Sequence, residues 1–440
     1  MTKPIHRRRF LESTAVAGAA VWTARGGLAR GGESPNEKLD VAVVGCGGRG
    51  AADLAGVSSE NIVALCDVDE ARAAKSFERY PQAKKYKDFR RMLDEVGKQI
   101  DAVVVGTPDH THAAPSAAAL RLGKHVYCEK PLTHNVYETR VLTDLAVENK
   151  LATQLGTQIH AGDNYRRAVE LVQSGAIGPV GEVHVWLGGN FDHQGPWPDT
   201  TGGGRPTDTP PVPDTLDWDL WLGPAPYRPY HSAYCPFAWR YWWAFANGRL
   251  GDFFCHYCDL AFWALKLKYP TSVESQGPAV NPEKTPQWTI SRQEYPAREG
   301  LPPVTLTWYH GGPVPEIAQQ KNVPHWGNAV LFVGADGMLI ADYGKHLLLP
   351  QEKYADFKPP EPSIPRSIGH HQEWIRACKT GEPTTCNFAY SGPLTEAALL
   401  ANVSLRVDKK LTWDAAKLKA VDCPEADQFL RREYRQGWKL

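Results

Sequence analysis

Short apolar runs alternate with amphipathic stretches between residues 38 and 155. Leu39-Asp-Val41-Ala-Val43-Val44, Ile62-Val-Ala-Leu-Cys66, Ile100-Asp-Ala-Val103-Val-Val105, His125-Val-Tyr-Cys128 and Leu151-Ala-Thr-Gln-Leu155 each read as a strand. Helical stretches fall between them, at 116–122 (stopped by Gly123) and at 136–149. Near-continuous apolar strands joined by helices predict a parallel, doubly wound sheet covered on both faces. Its ligand crevice opens at the carboxyl ends of the strands.

Beyond Gly156 the pattern changes. A helix is expected over 165–173, ended by Ser174-Gly175, and Val180-Gly-Glu-Val-His-Val-Trp186 alternates with the period of a half-buried strand. Residues 188–236 are rich in Gly, Pro, Asp and Trp and show no periodicity; a loop of that length is usually functional or an interaction surface. Strands resume at 304–309, 328–333 and 338–340, and late helices are expected at 370–379 and 394–402. Period-two alternation with turn residues predicts a mainly antiparallel sheet with one face covered. The expected fold is therefore an α/β dinucleotide-binding half over 36–155, then an α+β domain over 156–440 carrying a large open sheet. A chain of 440 residues is too long for one ordinary core, so two domains are the default.

The junction after the first strand carries chemistry. Gly45-Cys-Gly47-Gly-Arg-Gly50 follows the apolar run directly, and Asp67 ends the next run. Strand, glycine turn, helix, strand and terminal carboxylate make the dinucleotide fingerprint. Gly45 lets the chain turn, Gly47 lets backbone approach a pyrophosphate, and Gly50 lets the helix pack on the strand. The helix N-terminus presents free N–H groups and a positive dipole end. Asp67 would accept from the ribose hydroxyls and repel a 2′-phosphate, which favours NAD over NADP.

Lys and Arg together equal Asp and Glu at 49 each, so the formal charge is zero and no basic run points to nucleic acid or to an anionic membrane surface. The 9 cysteines are an odd number, several lie in strand-like runs, and they read as reduced, buried thiols. Arg7-Arg8-Arg9-Phe10-Leu11 matches the twin-arginine export pattern, followed by a short, weakly apolar run from Thr14 to Thr23 and small residues at Gly27-Leu-Ala29. Residues 1–31 are read as a signal, too short in its apolar part to span a bilayer, and the protein is expected in the periplasm.

Two further sites suggest themselves. In Asp252-Phe-Phe-Cys-His256-Tyr-Cys-Asp259, helical spacing would bring Asp252 onto His256, with Asp259 one turn beyond. A carboxylate beside an imidazole makes His256 a proton acceptor; the same residues also read as a capping carboxylate and a structurally satisfied histidine. Cys255 and Cys258 read as packing thiols, and no metal is expected. Lys130, at a strand end before Pro131, would hydrogen-bond a reacting oxygen; it also reads as a solvated loop lysine. Trp242 and Trp243, in the run Trp239-Arg-Tyr241-Trp242-Trp243, offer flat faces to a sugar ring or serve core packing. Arg166 and Arg167 are candidate hydroxyl or carboxylate binders, or a solvated helix face.

The glycine turn, Glu129-Lys130-Pro131 at a later strand end and the Asp252/His256 pair together resemble the Gfo/Idh/MocA family, which includes glucose–fructose oxidoreductase and inositol dehydrogenase. Trp308-Tyr309-His310-Gly311-Gly312, Gly334-Ala-Asp-Gly337 and Arg432-Glu-Tyr434-Arg435-Gln-Gly-Trp438 add to the likeness. The resemblance implies that Lys130, Asp252 and His256 are catalytic. It implies that Gly45, Cys46, Gly47, Gly48, Arg49, Gly50 and Asp67 hold the cofactor, and that Thr107, Pro108, His112, Glu129 and Lys130 border it. The expected activity is NAD-dependent oxidoreduction of a sugar, polyol or glycoside hydroxyl, with the cofactor tightly bound and the chain a homo-oligomer, dimer or tetramer. The alternative is a glycosidase that uses NAD in a closed cycle of oxidation, elimination and reduction.

Overall fold

The computed structural model describes residues 37–188, 203–320 and 322–440. The expected signal, residues 1–31, and part of the expected loop, residues 189–202, lie outside the described residues. Residues Lys38–Leu440 form one compact unit.

The first sheet has six strands in the order β3-β2-β1-β4-β5-β6, all parallel. They are β1 (Asp40–Val44), β2 (Asn61–Cys66), β3 (Lys84–Tyr86), β4 (Ala102–Val105), β5 (His125–Cys128) and β6 (Thr153–Leu155). β4 is buried at every position and β1 at all but its first, as a sheet covered on both faces requires. The strand order reverses between β1 and β4, so the ends of those two strands open the crevice. Asp69, Asp88 and Asn135 each cap the helix that follows, accepting a backbone N–H of its first turn.

The second sheet has nine strands in the order β13-β12-β11-β7-β10-β9-β8-β14-β15. These are β7 (Val180–Leu187), β8 (Ser272–Gln276), β9 (Thr289–Tyr295), β10 (Val304–His310), β11 (Asn328–Gly334), β12 (Met338–Ala341), β13 (His346–Leu349), β14 (Leu411–Asp414) and β15 (Lys419–Val421). Only β7 and β10 pair in parallel; the other pairs are antiparallel. Helices Asp163–Gln173, Cys255–Leu265 and Phe388–Val407 contribute Val169, Phe262 and Leu400 to the core with Val183, Leu306 and Phe332 of the sheet.

Some boundaries differ from the periodicity. The helix expected over 394–402 runs from Phe388 to Val407, through Ser391-Gly392-Pro393. Those residues look like breakers, but Gly392 is where this helix crosses Val136–Glu148. A side chain there would stand 2.3 Å from Thr143 Oγ1. Within the expected loop, the described part holds a helix, Trp218–Leu222, capped by Asp217. This segment lies along the edge of the first half: Asp217 N donates to Val68 O at 2.8 Å and Glu70 N to Thr215 O at 3.0 Å. Among the described residues, no helix is long and apolar enough to cross a membrane.

The helix His370–Thr380, far along the chain, packs on the first half. Trp374 and Ile375 join Val41, Val43 and Leu65 in one core cluster, and Gln154 Nε2 donates to the His370 carbonyl. Trp374 is fully buried. Trp374→Ala should therefore cost about 3–5 kcal/mol, read as a lowered urea midpoint that includes loss of nucleotide binding.

Candidate active site

The turn after β1 is built for close approach. Gly45 has φ +76°, where a Cβ would meet Thr107 Cγ2 at 2.8 Å, and a Cβ on Gly50 would stand 1.7 Å from the Gly45 carbonyl oxygen. Asp67 Oδ2 accepts from the N–H groups of Cys46 and Gly47, both at 3.0 Å, and Asp67 Oδ1 accepts from Asp69 N at 3.0 Å. Burial raises the Asp67 carboxyl above its ordinary value, against these donors. The turn opens into a cleft of about 410 Å³. Gly45, Gly47, Gly48, Arg49 and Asp67 line one end; Thr107, Pro108, Glu129 and Lys130 line its floor. The side-chain-free glycine turn, the space beside it and the acid beyond it fit a dinucleotide.

At the floor, Lys130 Nζ is hydrogen-bonded to Asp252 Oδ1, and the Lys130–Pro131 peptide is cis. Asp252 Oδ2 also faces Arg240 Nε at 3.7 Å. Burial pulls the ammonium down, but Asp252 and Glu129 outweigh it and hold Lys130 above its ordinary value. Burial raises Asp252, but Lys130 and Arg240 outweigh it and hold the carboxylate at about 2. Burial and the Lys130 charge push His256 down to about 3, against the attraction of Asp252. At neutral pH the group is thus an ammonium, a carboxylate and a neutral imidazole. Its Nδ1 is buried without a partner.

This corrects one expectation. Among the described residues, Asp252 makes no hydrogen bond to His256; it turns to Lys130 and Arg240. Residues Leu250–Phe254 form a π-turn, and the α-helix begins only at Cys255. The wider turn breaks the i,i+4 phase on which the expected contact rested. Asp259 faces elsewhere too: both of its oxygens lie 2.9 Å from His160 Nδ1, and Oδ1 accepts from Tyr390 OH at 2.7 Å. Those bonds, with Tyr165 OH on the His256 carbonyl at 3.1 Å, fix the helix that carries His256. Cys255 and Cys258 are free and buried on it.

Other candidates have other work. His112 does not line the cleft; its ring lies between the Pro131 and Thr107 carbonyls, 2.7 Å from each. Burial holds that ring neutral, at about 4, so one of the two contacts is a donated hydrogen bond tying the Lys130 loop to the end of β4. Cys46 contributes its backbone N–H. Glu129 accepts from Arg49 Nε at 3.1 Å and Gln158 Nε2 at 2.7 Å, and burial pushes it up to about 7. Arg166 is bonded to Glu373 and the Pro365 carbonyl, and Arg167 to Glu170 and the Pro360 carbonyl. Neither reaches the cleft: both tie the segment 360–373 to its helix. Trp242 and Trp243 are buried, with their indole N–H groups on the Ala233 and Asn281 carbonyls. They do not line the cleft, because the chain there turns them inward; Trp239 and Arg240 line it instead.

Two residues escaped sequence reasoning. Arg240 was visible only as an interruption of the aromatic run. Its guanidinium lies 4.1 Å from the ring centre of Trp239 and 4.4 Å from that of Phe237. Asp109, directly after Pro108, lines the cleft and is buried. Burial pushes its carboxyl up to about 7, with Lys130 opposing and Asp252 adding. A carboxylate following a strand end and a proline was the available signal.

Two family models match. "Oxidoreductase family, NAD-binding Rossmann fold" covers residues 39–157, and "Oxidoreductase family, C-terminal alpha/beta domain" covers residues 162–302. The chain belongs to the GFO/IDH/MocA oxidoreductase family. Inositol 2-dehydrogenase of Salmonella typhimurium is 29% identical over 130 residues, 29% of this chain and 38% of the relative. Inositol 2-dehydrogenase 2 of Saccharopolyspora erythraea is 31% identical over 151 residues, 33% of this chain and 44% of the relative. The matched stretch thus spans about two fifths of these GFO/IDH/MocA relatives. The solved WlbA dehydrogenase from Chromobacterium violaceum, in complex with NADH and UDP-GlcNAcA, shares the fold with TM-score 0.60 at 16% identity, covering 88% of this chain and 99% of that one.

The carboxyl of Asp109 titrates higher in the folded protein than in the unfolded chain, so its contribution favours folding at low pH and fades as pH rises through about 7. The stability gained by Asp109→Asn over wild type should grow between pH 5 and pH 8, by roughly 1–3 kcal/mol. Thermal unfolding at the two pH values checks the sign.

Proposed function

We propose that the protein is an NAD-dependent oxidoreductase acting on a hydroxyl group of a sugar, polyol or glycoside. The observation that carries this is Lys130, which lines a dinucleotide cleft and is paired with Asp252 behind it, both acting electrostatically on a neutral His256. NAD held there supplies the hydride acceptor. Lys130 donates a hydrogen bond to the substrate oxygen as carbonyl character grows. His256, neutral through the physiological range, accepts the hydroxyl proton. Asp252 aims the ammonium and stabilises the imidazolium that results. The carboxylate at Asp67 disfavours a 2′-phosphate.

The redox-neutral glycosidase is a second reading, favoured by Asp109. Simple hydride transfer has no need of a carboxyl near neutrality on the cleft wall, whereas elimination and re-addition need a further proton donor and acceptor. We also propose that the protein is exported by the twin-arginine route and assembles into a homo-oligomer through the open sheet. The Arg7-Arg8 pattern supports export, and the 9 free, buried cysteines, which need no oxidative pairing, are compatible with it.

Protein denatured after purification should release NAD. The native protein, assayed on sugars and glycosides, should generate reduced nicotinamide without bond cleavage; cleavage without net reduction favours the second reading. Lys130→Met and His256→Ala should each lower kcat/KM by roughly 10²–10⁴ while NAD stays bound. Normal turnover in both would refute the site assignment. Replacing Arg7 and Arg8 by Lys together should leave the protein in the cytoplasmic fraction, and unchanged export would sink that proposal.

A further inference from the structure

A second cleft of about 340 Å³ lies on the other side of Asn247 from the nucleotide cleft. Arg205, Arg228, Arg406, Arg431 and Arg432 line it, with a single carboxylate, Glu283. Glu283 is shared by Arg205 at 2.7 Å and Arg228 at 3.3 Å, and Arg432 leans back on Glu138 at 3.0 Å. Among the described residues, Arg406 has no such partner. Its guanidinium lies between two rings, 3.8 Å from the centre of Phe429 and 4.9 Å from that of Trp243. No charged group offsets its burial, which alone pulls it down to about 10. Five guanidiniums thus face two carboxylates.

The lining also holds buried polar atoms with nothing to bond. Arg228 Nε, Arg432 Nη1 and Asn135 Nδ2 are donors without an acceptor, and Asn402 Oδ1 is an acceptor without a donor. Arg228 is 4% exposed. His134 gives its Nε2 to the Trp243 carbonyl at 2.8 Å, which leaves Nδ1 as a second unmet acceptor. Native interiors seldom leave such groups unmet. Water can satisfy the amides and the imidazole, but it does not offset the buried charge of Arg406, which lacks a carboxylate among the described residues.

We propose that this cleft is a second ligand site, separate from the nucleotide cleft, for a small hydroxylated anion: a sugar acid or a sugar phosphate. The anionic group lies against Arg406 and Arg228, and hydroxyl groups donate to Asn402 Oδ1 and His134 Nδ1. The two clefts share a wall. Asn247 lines this one, while its backbone N–H donates to Asp109 Oδ2 at 3.3 Å in the other.

The test is calorimetric titration of the full-length, NAD-saturated protein with D-glucuronate, glucose 6-phosphate, inorganic phosphate and neutral glucose. One of the two sugar anions should bind saturably at one site per chain, and the tighter of them identifies the anionic group. Arg406→Met should weaken that binding about tenfold or more and, without the anion, leave the melting temperature equal or higher, since a buried unpaired charge is removed. Arg431→Glu, at an exposed position on the rim, should also weaken it and decides the matter if Arg406→Met does not fold. The proposal fails if neither sugar anion binds, if affinity is unchanged in the variants that fold, or if phosphate or glucose binds as tightly as the sugar anions.

Discussion

One buried ion pair joins the two halves of this protein at the place where chemistry is done. Lys130 comes from the end of β5 and Asp252 from the π-turn Leu250–Phe254 within the second half, and each holds the other in its charged form. Such a pair is dear to break: removing one partner leaves a buried charge, at about 3–5 kcal/mol. Burial sets the neutral state of His256 and the raised carboxyl of Asp109, and the two members of the pair pull on each of them in opposite senses, while Arg240 faces Asp252. The surrounding bonds restrict both ends. His112 braces the Lys130 loop against Thr107, and His160 and Tyr390 grip Asp259 on the helix that continues from the π-turn.

What could be read from the sequence was what depends on neighbours in the chain. The glycine turn, Asp67 and Lys130 are set by strand ends and by backbone freedom at Gly45 and Gly50, and these leave local marks. The partner of Asp252 was not legible. Helical periodicity assigned it to His256, and nothing in Leu250-Gly-Asp-Phe-Phe254 announces a π-turn. Asp109 and Arg240 were missed for a related reason: their character comes from burial beside charges distant in the chain. Trp242 and Trp243 show the converse, for an aromatic run marks apolar surface without saying which rings face inward.

The segment between the first helices of the second half and the π-turn illustrates how composition can mislead about order. Its Gly, Pro and Trp content reads as a loop, yet its described part builds a packed aromatic layer. Trp218 and Trp221 stack at 4.8 Å, and Phe245 meets Trp221 at 4.9 Å. Leu220 and Trp221 form a wall of the nucleotide cleft, and at the rim Trp438 carries the Arg90 guanidinium 4.4 Å above its ring. The nucleotide cleft is thus bounded by β-strand ends, by this layer and by residues next to the carboxyl terminus.

The helix His370–Thr380 completes the cover of one face of the parallel sheet. The ribosome delivers this helix more than two hundred residues after β6 has left the exit tunnel. Until then Val41, Val43 and Leu65 have Leu54 and Ala73 of the two early helices, Arg49–Gly56 and Glu70–Arg79, over them but not Trp374, so that side of the nascent sheet is only partly covered. Completing the nucleotide half therefore waits for residues beyond 370, and any machinery that captures or releases the chain before Trp374 arrives meets an unfinished domain.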